Sequence, residues 1–180
     1  RVLFRSDTQP AHREALLKFA SRAYRRALTA AEKKELNGLY EKLRAEDLPH
    51  ESAIRLTLAK ILVSPAFLYR GEKAGPGDRP SPVENAELAT RLSYFLWSST
   101  PDAALRTAAD DNTLGDPQVL VAETRRMLRD PKVRRLATEF ACAWLHVYNF
   151  DELGGKSDRH FPAFTALRGA MYEETIRFFT

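Results

Sequence analysis

Thr29-Ala30-Ala31-Glu32-Lys33-Lys34-Glu35-Leu36-Asn37-Gly38-Leu39-Tyr40-Glu41-Lys42-Leu43 is written for a helix from its first residue. Thr29 and Glu32 stand three apart, the spacing at which each side chain bonds the other's backbone N–H where a helix opens. Behind them Leu36, Leu39, Tyr40 and Leu43 recur at i, i+3, i+4 and i+7, the mark of a helix buried along one face. Nowhere in the chain is there the sustained alternation or the Asn-Gly or Asp-Gly turn that strands and hairpins would leave.

The same period extends outward. Residues 12–24 place Leu16, Phe19, Ala20 and Tyr24 on one face, and residues 51–64 do so with Ile54, Leu58, Ile61 and Leu62. Pro65 should end that third helix, because the residue before a proline is driven out of the α region. Residues 71–82 hold Gly71, Gly75, Pro76, Gly77, Pro80 and Pro82, a density that disfavours both regular structures and predicts a linker. Beyond it Ser81-Pro82, Thr100-Pro101, Asp116-Pro117 and Asp130-Pro131 each set a capping side chain before a proline, which predicts four helix starts. The helix after Pro82 should bury Leu88, Leu92, Phe95 and Leu96. The one after Pro117 should bury Leu120, Thr124, Met127 and Leu128. The one after Pro131 should bury Val133, Leu136, Phe140, Trp144 and Val147, and a last helix from about Phe164 carries Leu167, Met171 and Phe178. The fold class is therefore all-α: about eight amphipathic helices in two small packed modules, 7–70 and 83–180.

Both ends bear on these boundaries. Arg1-Val2-Leu3-Phe4-Arg5-Ser6 resembles a translated sequencing adapter, so residues 1–6 are set aside as a scar. Phe178-Phe179-Thr180 stops inside an apolar helical pattern, and the second module is expected to be truncated there. The formal charge of +4 is unevenly spread: residues 1–75 hold 15 Lys+Arg against 9 Asp+Glu, and the remainder 13 against 15. With Arg1 and Arg5 in the adapter-like peptide, little remains of a basic, phosphate-seeking character, so no nucleic-acid partner is expected. No stretch approaches the roughly 18 apolar residues of a membrane helix, and no membrane span is expected in this segment. The single cysteine, Cys142, can form no internal disulfide.

No recognisable catalytic or cofactor site is present. Cys142 and His146 lie four apart and would share a helix face, but two ligands do not make a zinc site. Residues 149–162 gather Asp151, Glu152, Asp158 and His160 around Gly154-Gly155. Acidic groups with flexible glycines could hold a hard cation, although the spacing is not that of an EF-hand. Asp151, Asp158 and His160 are thus the weak metal candidates. Arg22, Arg25 and Arg26, with a second cluster from Arg125 to Arg135, are expected to be solvated surface with some ion pairs. Glu173 and Glu174 are adjacent, point apart on a helix, and make a poor acid/base pair.

Longer strings carry a resemblance. Ala23-Tyr24-Arg25-Arg26-Ala27-Leu28-Thr29 and Ile61-Leu62-Val63-Ser64-Pro65-Ala66-Phe67-Leu68-Tyr69-Arg70 belong to one pattern. Glu87-Leu88-Ala89-Thr90-Arg91-Leu92-Ser93-Tyr94-Phe95-Leu96-Trp97-Ser98-Ser99-Thr100-Pro101-Asp102, Phe140-Ala141-Cys142-Ala143-Trp144-Leu145 and Phe161-Pro162-Ala163-Phe164 belong to the next. Together they resemble the paired helical domains of unknown function in large planctomycete proteins that also carry cytochrome c-type domains. Ala27 stands where that pattern usually has proline, and Cys142 where a glycine or other small residue is usual. The resemblance implies an exported, extracytoplasmic multidomain protein whose haem c lies elsewhere in the chain, with no catalytic residues to carry over. The expected role is a non-catalytic helical scaffold that packs against neighbouring domains, a haem-bearing one among them. The alternative is part of an enzyme whose active site is completed by further C-terminal sequence, with the acidic loop 149–162 contributing. The surplus of aromatics in the second module (Tyr94, Phe95, Trp97, Phe140, Trp144, Tyr148, Phe150) favours the former, if some of them face outward.

Overall fold

A computed structural model describes residues 9–72, 81–157 and 159–180, and every regular element among them is helical. The adapter-like peptide 1–6, most of the predicted linker and Asp158 lie outside the described residues.

The chain opens with α1 (Gln9–Ala23), α2 (Ala30–Ala45) and α3 (His50–Leu62), followed by the single turn α4 (Pro65–Leu68). The predicted capping box is formed: Glu32 N donates to Thr29 Oγ1 at 3.2 Å, and Thr29 N donates to Glu32 Oε2 at 2.8 Å. Pro65 does not only end α3. Ser64 caps the proline-initiated turn, its hydroxyl accepting from Ala66 N. Leu16, Ala20, Ala23, Tyr24, Leu28, Leu36 and Ile61 form the core of this part.

The C-terminal helices are α5 (Asn85–Trp97), α6 (Ala103–Asp110) and α7 (Pro117–Leu128). A 3-10 turn at Pro131–Val133, a π-helical stretch at Leu136–Ala141, the short α8 (Cys142–Trp144) and α9 (Phe164–Phe178) complete the described elements. Two of the four proline starts are as expected: Asp116 and Asp130 accept from Gln118 N and Lys132 N. The other two shift. α5 begins at Asn85, three residues past Pro82, because the chain stays extended through Glu84. α6 is capped by Asp102, whose carboxylate takes Leu105 N at 3.0 Å, so Pro101 precedes the cap instead of following it.

The larger correction lies after Pro131, where one continuous α-helix was expected. Each i→i+5 bond of a π-helix absorbs an extra residue and rotates the side chains that follow. Small residues (Ala137, Ala141 and Cys142) turn inward, and Ala137 and Cys142 pack with Ile176 of α9. Phe140 and Trp144, expected inside, turn outward. In α9 the buried residue is Ile176, while Leu167, Met171 and Phe178 are exposed. Trp97 is wholly buried at the centre of a second core with Ala89, Leu96, Leu105, Ala109, Leu114 and Met127. Its indole N–H donates to the Met127 carbonyl at 3.0 Å, which satisfies the one polar atom that burial would otherwise penalise.

Candidate functional site

A groove of about 830 Å³ runs between the end of α1, the 65–72 segment and one face of α5. Its floor is set by Arg25, which follows α1 in the left-handed region (φ 61) and is only 6% exposed. The guanidinium donates to four carbonyls, those of Ala23 (3.1 Å), Ala66 (2.8 Å), Phe67 (3.2 Å) and Tyr69 (2.9 Å). Such a fork suits the unpaired carbonyls at the end of a helical turn. Arg25 therefore fixes the turn that presents Tyr69 and Arg70 to the groove.

On the opposite wall Tyr94 receives the Arg70 guanidinium over its ring, 4.5 Å from the centroid. Arg91 makes a two-pronged ion pair with Glu72, which holds that carboxyl below its ordinary range. Arg26 grips Glu32 at 2.7 and 2.9 Å. This grip, with help from the Thr29 backbone and hydroxyl and against the effect of burial, holds the Glu32 carboxyl at about 2. The groove walls thus combine tyrosines with charges of both signs.

The groove opens onto an aromatic row through Phe95, which belongs to both. Phe95 meets Phe140 edge to face at 5.7 Å, and Phe140 stacks on Trp144 at 6.3 Å. These three rings are 55%, 49% and 65% exposed. Tyr148, also exposed, donates its hydroxyl to Glu139 Oε2 at 2.9 Å. The three rings thus form an exposed apolar cluster in mutual contact.

The residues singled out from the sequence fall elsewhere. Asp151 and His160 are exposed and lie in turns, and Asp158 is outside the described residues. Among the described residues no three His, Cys, Asp or Glu side chains gather as metal ligands. Cys142 and His146 do not share a helix face, because α8 ends at Trp144. Cys142 is buried, whereas His146 sits past the helix end at φ 56 and is exposed. The arginine clusters are extensively tied within the chain: Arg126 to Asp102 and Glu123, Arg134 to Glu173, and Arg25 to carbonyls. Glu173 bridges Arg134 and Arg177, a structural use of its carboxylate. No helix among the described residues is long and apolar enough to cross a membrane.

A cluster that sequence reading missed joins α1, α2 and α3: His12, Tyr40 and His50. Two lone histidines 38 residues apart gave no spacing signal.

Two family models match the chain. That described as PSD4, protein of unknown function (DUF1592), covers residues 83–180, and that described as PSD5, protein of unknown function (DUF1595), covers residues 11–72. No curated protein and no solved structure matches it.

Proposed function

We propose that this chain, which belongs to the PSD4 family of proteins of unknown function (DUF1592), acts as a non-catalytic helical scaffold and docking module within a larger exported protein. In that reading the parent protein is bacterial, of planctomycete type, and extracytoplasmic. A cytochrome c-type domain carrying haem c is one of the neighbours the module packs against.

The observation that carries the reading is the outward row Phe95–Phe140–Trp144. Burying such rings against a partner removes apolar area from water at about 25 cal/mol per Å². A helical fold that needed them only for its own stability would have turned them inward. The adjoining groove supplies a rim of arginine, glutamate and tyrosine, the composition that surrounds many interface cores.

The test is a Phe140→Ser, Trp144→Ser double variant in the intact parent protein, followed by limited proteolysis. Faster separation of this segment from its neighbours, with the segment itself still folded, is the expected result. A digestion pattern identical to that of the parent would count against the docking role.

A further inference from the structure

His12 of α1, Tyr40 of α2 and His50, the first residue of α3, meet at one corner of the N-terminal helices. His12 Nδ1 and His50 Nε2 face each other at 3.0 Å, the two ring planes are only 16° apart with centroids separated by 5.3 Å, and the Tyr40 hydroxyl lies 2.8 Å from His50 Nδ1. His50 is buried.

We propose that His12 and His50 form a one-proton lock between α1 and α3, which opens when acidification charges both rings. A hydrogen bond between two imidazole nitrogens needs one donor and one acceptor. With both rings neutral or with one charged, that condition can be met, because the tautomers and the Tyr40 hydroxyl can reorient. With both rings charged, two N–H groups would point at each other across 3.0 Å and two like charges would lie side by side, so the contact must break.

Nearby cations push the same way. From α1, Arg13 lies over the Tyr40 ring at 5.2 Å, its charge paired with Glu41 of α2. From α2, Arg44 adds a cation near His50, and α3 itself places His50 at its positive N-terminal end, where a further positive charge is disfavoured. Burial first, then His12 and Arg44, lower the His50 pKa below its ordinary value. The unfolded chain therefore binds more protons than the folded one as pH falls below about 6.5, and stability drops with it.

The experiment follows the imidazole signals of the whole chain by NMR between about pH 4.5 and 7.5, with EDTA present, for the parent and for His12→Asn. In the parent, the His50 ring should titrate below the ordinary histidine value of about 6.5. α1 amides should lose exchange protection in step with it. In His12→Asn the neighbour can always accept, so the His50 midpoint should rise and the pH dependence of α1 protection should weaken. Tyr40→Phe, which leaves the histidine pair intact, should keep the coupled loss of α1 protection and guards against a misfolded His12 variant. A His50 midpoint at or above the ordinary value in the parent, or one unmoved by His12→Asn, would overturn the proposal.

Discussion

Phe95 and Phe140 meet edge to face with ring centroids 5.7 Å apart, although each is about half open to water. Edge-to-face pairs of this kind stabilise by about 0.5–1.5 kcal/mol beyond simple burial. The pair therefore pre-orders part of a surface that α5 and the π-helical stretch build together. Its position beside the Arg25 groove gives the module one continuous face of aromatic and mixed-charge character.

The two tryptophans should respond in opposite ways to truncation. Trp97 is fully buried and bonded to Met127, so Trp97→Ala should cost about 3–5 kcal/mol in urea unfolding. Trp97→Phe, which keeps most of the volume but leaves the Met127 carbonyl short of a donor, should cost about 1–3 kcal/mol. Trp144→Ala should change stability by no more than about 0.5 kcal/mol, because that ring is mostly exposed.

Two left-handed residues should respond oppositely to glycine. Past the end of α8, Val147 N donates to Cys142 O (2.9 Å) and His146 N to Ala143 O (3.2 Å), the Schellman pattern in which glycine is preferred at the position His146 holds. His146→Gly should relieve about 1–2 kcal/mol of left-handed strain, less about 0.5–1 kcal/mol of added chain entropy, and so raise the thermal midpoint slightly. Arg25→Gly should instead destabilise by roughly 2–4 kcal/mol, since the four carbonyls it satisfies lose their donor. Equal or like-signed effects would show that backbone strain, not the guanidinium, governs both sites.

The acid limb of stability should depend on Glu32. Its folded-state value is about 2 against an ordinary 4.5, so the unfolded chain binds the extra proton between those limits. The stabilisation from the Arg26–Glu32 grip is full above about pH 4.5 and lost as pH falls towards 2. Glu32→Gln should flatten the fall of the thermal midpoint across that window while leaving its value at neutral pH lower than the parent's. Thr29→Ala, which removes the cap, should cost about 1 kcal/mol at neutral pH.

How much of this was legible beforehand follows from what each signal encodes. The capping box at Thr29–Glu32 and the caps at Asp116 and Asp130 are local, set by residues two or three apart, and they were readable. The buried faces of α1 and α2 followed their period in part, with Leu16, Ala20, Leu36 and Tyr40 inside but Phe19 of the predicted α1 face exposed. The outward turn of Phe140 and Trp144 was not readable, because the register of the π-helical stretch is decided by how closely Ala137 and Cys142 can approach Ile176, 39 and 34 residues away. The same holds for Arg25, whose carbonyl partners 41 to 44 residues on give no sequence motif. An arginine cluster in sequence looks like surface until the fold shows which member is buried.

The docking claim is tested most directly by placing a photo-crosslinking residue at Trp144 in the intact parent protein and mapping the adducts by mass spectrometry. The account predicts adducts concentrated on one neighbouring domain or partner, well above those from the same residue placed at exposed Glu46. Adducts no more frequent at position 144 than at position 46 would contradict it.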